Sequence, residues 1–264
     1  MKNKLIARIA EGLGNQLFMY AHSYALSKKI NYSFYIDDES AYFKKKDIRE
    51  YELDNFNISA QKISNNEKFN SYFLNFKRSI LKKIDLFLPK KNFLIEQRNN
   101  FKQTKYYKYD TKQLSNKIYV EGYFESEQYF KQYKDELREE FKFKNSTSYK
   151  DNRYYNEILH NNKIVSICVR QNRYSERTGN RDDKLSIIKS DKFTQDTIEY
   201  IFRAISICEK KIDNPIFYIW SNDFKDLREY FNHDKFIFVE NNFNKSITDF
   251  YLLNKCKNFI VGPT

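Results

Sequence analysis

The stretch Gly12-Leu13-Gly14-Asn15-Gln16-Leu17-Phe18 constrains this chain more than any other segment. It follows the apolar run Leu5–Ala10 and opens an amphipathic segment that ends near Ile30. Leu17, Ala21, Tyr24 and Ala25 recur at helical spacing and give that segment a buried face. Strand, glycine turn and helix in this order bring backbone N–H groups close to a ligand, which singles out Gly14. Asn15 and Gln16 add side-chain amides at the helix start, where a substrate hydroxyl or phosphate could be held.

The pattern continues with a strand at Ser33–Ile36 and a polar, aromatic region from Asp37 to Asn116. Periodicity there is poor, and only a helix near Phe69–Phe87 stands out. A strand at Ile118–Glu121 precedes Gly122 and a charged helix expected from Ser126 to Phe141. The polar joint Asn145–Lys150 divides the chain into expected domains at 1–150 and 151–264. A second series then follows: strand Ile164–Val169, helix Phe193–Lys211, strand Ile216–Trp220, helix Asp223–Phe231, strand Phe236–Val239, helix Ser246–Lys257 and strand Phe259–Val261. Alternating strands and helices predict α/β domains with parallel, doubly wound sheets.

Such sheets bind ligands beyond the carboxyl ends of their strands. The residues to inspect are therefore Arg170 to Arg173, Ser221 to Asp223, Glu240 to Asn242 and Gly262 to Thr264. Arg170 leaves an apolar strand, and a guanidinium there can fork two oxygens of a diphosphate. Arg173, Arg177 and Arg181 read as ordinary loop charges. Ser221-Asn222-Asp223 suits an N-cap, and a capping loop at that edge also meets a ligand. Asp249 reads equally as an acid complementing a helix dipole and as an acceptor for a guanine amine and imine. In Gly122-Tyr123-Phe124-Glu125-Ser126-Glu127-Gln128-Tyr129-Phe130, Ser126 is expected to cap a helix whose aromatics pack inward.

Composition narrows the classes. The 264 residues carry a formal charge of +12 and 18% aromatics, which raises RNA binding as a rival. The lysines are scattered rather than gathered into a stripe, and no RNA-binding signature is present, so no nucleic-acid partner is expected. Cys168, Cys208 and Cys256 show no metal-site spacing and read as reduced, mostly buried thiols. No Asp-x-Asp, His-x-x-x-His or Cys-x-x-Cys occurs, and His22, His160 and His233 lie far apart. A metal site or a histidine base is therefore not expected, and His22 reads as a rim or core residue. No apolar run approaches the ~20 residues that cross a bilayer, so a cytoplasmic chain, at most peripheral to the inner membrane face, is expected.

Taken together, the segments resemble bacterial α-1,2-fucosyltransferases of glycosyltransferase family 11. The resemblance rests on Gly12–Phe18, on the Gly-aromatic-aromatic-x-Ser-x-x-Tyr-Phe block at 122–130, and on Val165–Arg170, similar to the strand carrying His-x-Arg. Phe217–Asp223 is similar to Phe-x-x-x-Ser-x-Asp, and Asp249-Phe250-Tyr251-Leu252-Leu253 with Cys256-Lys257 to Asp-Leu-Tyr-Leu-Met…Cys-Lys. These blocks run in the family's order along nearly the whole chain. Cys168 replaces the motif histidine, Arg173 the usual downstream Asp, and Glu11 stands where another Gly is often found.

The resemblance implies a GT-B fold, two Rossmann-like domains with a cleft between them. It also implies an inverting, metal-independent transfer of fucose from GDP-fucose to a galactose-type hydroxyl of a glycan, with no cofactor beyond the donor. By it, Arg170 faces the donor diphosphate, Asp249 reads guanine, and Asn15 lies near the transferred sugar and acceptor. Gly14, Ser221, Asp223 and Thr264 complete the expected donor contacts. Glu11 and Glu176 are candidate bases by chemistry alone. The family continues past Thr264 into Ser/Thr-Phe-x-Trp-Trp-Gly, so an incomplete C-terminal domain and a poor catalyst are expected. Two alternatives stay open. One is an NAD(P)-dependent oxidoreductase, with Asp37 or Asp38 about 20 residues beyond the glycines as the ribose-binding acid. The other is a noncatalytic remnant of the fucosyltransferase fold.

Overall fold

The computed structural model describes residues 3–44, 49–96, 106–174, 183–241 and 246–262. The chain forms two compact units, Met1–Lys144 and Asn145–Thr264.

The first unit contains β1 (Lys4–Arg8), α1 (Leu13–Ile30), β2 (Ser33–Asp37), β3 (Gln61–Lys62), α2 (Tyr72–Asp85), β4 (Lys91–Ile95), β5 (Leu114–Glu121) and α3 (Lys134–Glu140). Its sheet runs β3-β2-β1-β5-β4 with every pair parallel. The chain builds β1 to β3 in one direction, then crosses to lay β4 and β5 on the other side. The order therefore reverses between β1 and β5, the kind of switch point at which α/β sheets bind ligands. Central β1 is apolar because both of its faces are covered: Leu5, Ile6 and Ala7 are buried. Leu5 shares a core with Leu26 of α1, with Ile118 and Val120 of β5, and with Phe124. Helix α1 ends at Asn31, whose left-handed φ of 57° lets its N–H return to the Lys28 carbonyl.

His22 proves to be a core residue. It stacks on Phe124 at 3.6 Å with the rings 8° from parallel, and the edge of Tyr129 meets it at 4.8 Å. The helix expected over Ser126–Phe141 is instead two short 3-10 turns, Glu127–Tyr129 and Lys131–Tyr133, followed by α3. The aromatics explain the break. Tyr129 is held against His22 and Phe130 against Phe18 of α1, and Ser126 caps only the first turn.

The second unit contains α4 (Thr147–Lys150), α5 (Tyr155–His160), β6 (Ile164–Val169), α6 (Lys184–Lys211), β7 (Ile216–Ser221), α7 (Leu227–Tyr230), β8 (Phe236–Phe238), α8 (Ser246–Leu253) and β9 (Asn258–Val261). Its sheet is parallel throughout, in the order β8-β7-β6-β9, with the reversal between β6 and β9. Ile198, Ile201 and Ile205 recur at helical spacing on α6 and share a core with Val165, Ile167, Phe217 and Ile219 of the sheet. Helix α6 starts well before the expected Phe193, because Asp183 caps it by accepting the Ser186 N–H at 3.2 Å. Helix α7 is far shorter than the expected Asp223–Phe231, for a reason given below. The expectation of buried thiols fails at Cys168, which is exposed. It stands in register with the exposed Val261 at the carboxyl end of the sheet.

Burial lowers the pKa of His22 to about 3, against about 6.5 in an unfolded chain. The unfolded state therefore binds the proton more tightly between those values, and stability falls as pH drops from about 6.5 towards 3. By pH 5 the expected loss is about 2 kcal/mol. His22→Phe and His22→Leu should flatten the pH dependence of the melting temperature between pH 7 and 5. Variants that melt with the wild-type pH slope would refute this assignment.

Candidate active site

At the carboxyl edge of the first sheet, β1 enters α1 through Glu11, whose φ of 63° lies in the left-handed region. A side chain there is strained, which accounts for the glycine often found at this place in the motif. Two bonds hold the residue: the Glu11 carbonyl accepts from Gln16 Nε2 at 2.8 Å and from the Tyr42 hydroxyl at 3.0 Å. Gln16 Nε2 also donates to the Glu50 carbonyl at 2.7 Å, and Gln16 Oε1 accepts the Glu52 N–H at 2.9 Å. Gln16 is fully buried, so the expectation that its amide meets substrate is corrected: it is a structural clamp. Asn15, one residue earlier at the helix start, is half-buried. At Gly14 an added Cβ would meet nothing within 4 Å, whereas at Gly12 it would lie 3.1 Å from Arg49 Nη1. Space above Gly14 is thus open to a close-lying ligand.

A cavity of about 240 Å³ opens at the β1/β5 switch point, lined among others by Arg8, Glu11, Glu96, Glu121 and Tyr123. Arg78 donates to both Glu121 oxygens, and Lys82 adds a third bond at 2.8 Å. Burial pushes the Glu121 carboxyl up, but these cations outweigh it and hold the group below its ordinary value. Arg8 Nη2 donates to the Ser40 carbonyl at 3.2 Å, while its Nε is buried with no hydrogen-bond partner among the described residues. Burial and the neighbouring Arg78 lower the Arg8 pKa against the pull of Glu121 and Asp37. Glu96 accepts the N–H groups of Tyr123 at 2.7 Å and Phe124 at 2.9 Å. A Cβ on Gly122 would sit 2.3 Å from Glu96 Cβ, so this approach demands glycine. The corner brings the Tyr123 hydroxyl within 3.4 Å of Glu11 Oε1, joining the two sequence blocks.

Arg8 and Glu96 were not anticipated. Arg8 had one signal, a cation inside an otherwise apolar strand. Glu96 had none, because its partners lie more than 20 residues downstream.

In the second unit Arg170 directly follows β6 and is half-buried. Asn222 pins the next residue from both sides, accepting the Gln171 N–H at 2.9 Å and donating to the Gln171 carbonyl at 3.1 Å. Ser221 Oγ donates to the Asp223 carbonyl at 2.6 Å, and Asp223 accepts the Lys225 N–H at 3.0 Å. This stretch is therefore a self-bonded turn rather than a helix cap, and α7 begins only after Asp226. Asp249, in the first turn of α8, accepts a hydrogen bond from Asn241, which in turn accepts from Asn152 at 2.7 Å. Burial raises the Asp249 pKa while the Asn241 bond pulls it down.

Arg173 lies over the Phe193 ring at 5.2 Å. Thr264, Glu176, Arg177 and Arg181 lie outside the described residues. Among the described residues no group of three His, Cys, Asp or Glu side chains is placed to hold a metal. Of the acids that a dinucleotide fingerprint would use, Asp37 is fully buried and accepts the Ser40 N–H through one oxygen at 3.0 Å, and Asp38 pairs with Lys62 and Lys68.

Comparison with known proteins agrees with this architecture. An α-1,2-colitosyltransferase of Escherichia coli is 26% identical over 98% of this chain and 83% of its own length. The O-antigen biosynthesis glycosyltransferase WbnK of Escherichia coli is 24% identical over 96% of this chain and 85% of its own. Among solved structures, the fucosyltransferase NodZ from Bradyrhizobium superposes with a TM-score of 0.52 at 12% identity, covering 98% of this chain and 88% of NodZ. NodZ co-crystallised with GDP gives 0.51 at 11%, covering 98% and 87%. The fold is accordingly GT-B-like. The family model of glycosyl transferase family 11 matches residues 5–263, and the chain belongs to that family.

Proposed function

We propose that this glycosyltransferase moves fucose from GDP-fucose to a galactose-type hydroxyl of a glycan, forming an α-1,2 linkage with inversion. The carrying observation is Arg170, which stands at the β6/β9 switch point on a turn pinned by Asn222. Support for the donor comes from NodZ, which was co-crystallised with GDP. Support for the linkage comes from the α-1,2-colitosyltransferase relative.

In this reading the second unit takes the donor. Arg170 forks the diphosphate, Ser221, Asp223 and Thr264 complete the contacts, and Asp249 accepts from guanine. Negative charge builds on the departing GDP, and a preorganised guanidinium stabilises it. The first unit takes the acceptor in the cavity beside Arg8 and Glu121. Backbone N–H groups near Gly14 and the Asn15 amide orient the reacting hydroxyl. Glu11, held by Tyr123, takes its proton as general base. No metal or further cofactor enters the scheme.

Three measurements test it. Arg170→Ala should lower transfer by about 10²–10³-fold, and Arg170→Lys should recover little, since an ammonium cannot fork two oxygens. Wild-type turnover by Arg170→Ala would overturn the assignment. Glu11→Gln should cut kcat by about 10²–10⁴-fold with GDP affinity unchanged; an unaltered kcat would remove Glu11 from the chemistry. Activity should survive EDTA, and a loss restored by Mg²⁺ or Mn²⁺ would contradict the metal-free scheme. The assays should offer GDP-colitose beside GDP-fucose, since transfer from the former alone would change the donor.

A further inference from the structure

Helix α2 is inverted with respect to the core. Phe73 is 75% exposed, Phe76 64% and Tyr72 74%, with Ile80 and Ile84 also exposed. Phe87, on the turn that continues the helix, is 88% exposed. At 3.6 residues per turn these six side chains fall within an arc of about 120°. The opposite side faces inward and is mixed: Leu74 and Leu81 are half-buried there among polar and charged residues. Arg78 and Lys82 bind Glu121, and Asp85 accepts the N–H groups of Asn92 at 2.7 Å and Phe93 at 3.1 Å.

We infer that the apolar face of α2 docks in the interface of an anionic lipid bilayer. Charge selects this occupant. From Ser71 to Lys91 there are six basic residues against one acid, Asp85; Asp85 is buried and Arg78 and Lys82 are taken up by Glu121, which leaves Lys77, Lys83, Lys90 and Lys91. Lys77 is exposed just outside one border of the stripe and Lys83 just inside the other, and Lys90 is exposed beyond the end of the helix. Lys44 lies over the Tyr72 ring at 4.9 Å. Aromatic and aliphatic side chains on one arc with lysines at its margin are the arrangement of a helix lying in the plane of a membrane surface, its lysine heads reaching anionic headgroups. No described helix is long and apolar enough to cross a membrane, so α2 would lie on the bilayer. Because Arg78 and Lys82 tie α2 to Glu121, docking would hold the cavity at the β1/β5 edge beside the headgroups. The inference does not depend on the donor or linkage proposed above.

Flotation of the purified full chain with vesicles of phosphatidylglycerol and phosphatidylcholine, against pure phosphatidylcholine, tests it. The chain should float with the anionic vesicles, and high salt should weaken the binding. Combined Phe73→Ser, Phe76→Ser and Phe87→Ser should lower the partition coefficient at least about tenfold. Lys77→Glu with Lys83→Glu should lower it with the aromatic face intact. Circular dichroism should show native folding for both variants, since every altered side chain is exposed. Failure of the wild-type chain to float, or flotation of both variants at the wild-type level, would overturn the inference. So would a wild-type dimer that ignores vesicles and that the serine variant dissociates, since the face would then belong to a second copy.

Discussion

One buried side-chain amide, that of Gln16, organises the ligand edge of the first unit. It donates to the Glu11 and Glu50 carbonyls and accepts from the Glu52 N–H, tying the β1–α1 turn to a segment over 30 residues away. The turn needs it. A left-handed non-glycine residue costs roughly 1–2 kcal/mol, and one hydrogen bond returns about 0.5–1.5 kcal/mol net. The two bonds on the Glu11 carbonyl therefore just offset the strain. Glycine at position 11 would relieve the strain, but it would place no carboxylate beside Tyr123.

The same device recurs elsewhere. Asn222 grips both polar groups of Gln171 next to Arg170, and Glu96 takes two successive N–H groups at the Tyr123 corner. In each case a side chain fixes backbone so that a neighbouring group is held in place. Fixed groups need no reorganisation when charge develops, which is where electrostatic catalysis obtains its advantage. Asn15 and Gly14 contrast with these clamps: one is half-buried at the helix start, the other has open space where a Cβ would stand.

What could be read in the sequence follows from how far each signal reaches. The parallel sheets were legible because buried strands such as Leu5–Ala10 and Ile164–Val169 are apolar runs broken by glycine or polar turns. The strand ends then pointed to Arg170 and Ser221 without any long-range information. The errors have local or distant causes. Ser221 and Asp223 bond their own backbone and delay the following helix. Gln16 resembles Asn15 in sequence, and only its distant partners, Glu50 and Glu52, make it structural. Glu96 becomes meaningful only beside Gly122.

Helix α2 shows why periodicity alone does not tell which face of a helix turns inward. Its phenylalanines mark one face well, and simple hydrophobic burial would turn that face to the sheet. The buried charges prevent this. Rotating α2 by half a turn would take Arg78 from Glu121, which is itself buried, and Asp85 from the Asn92 and Phe93 N–H groups. Breaking a buried ion pair costs about 3–5 kcal/mol, and unmet N–H groups add about 1–3 kcal/mol each. Burying one phenylalanine returns only about 1.5–3 kcal/mol, and several would have to pack against the sheet to compensate. A buried ion pair is weak as a source of stability but strong as a selector of orientation. Here it selects the orientation in which the apolar face is turned outward.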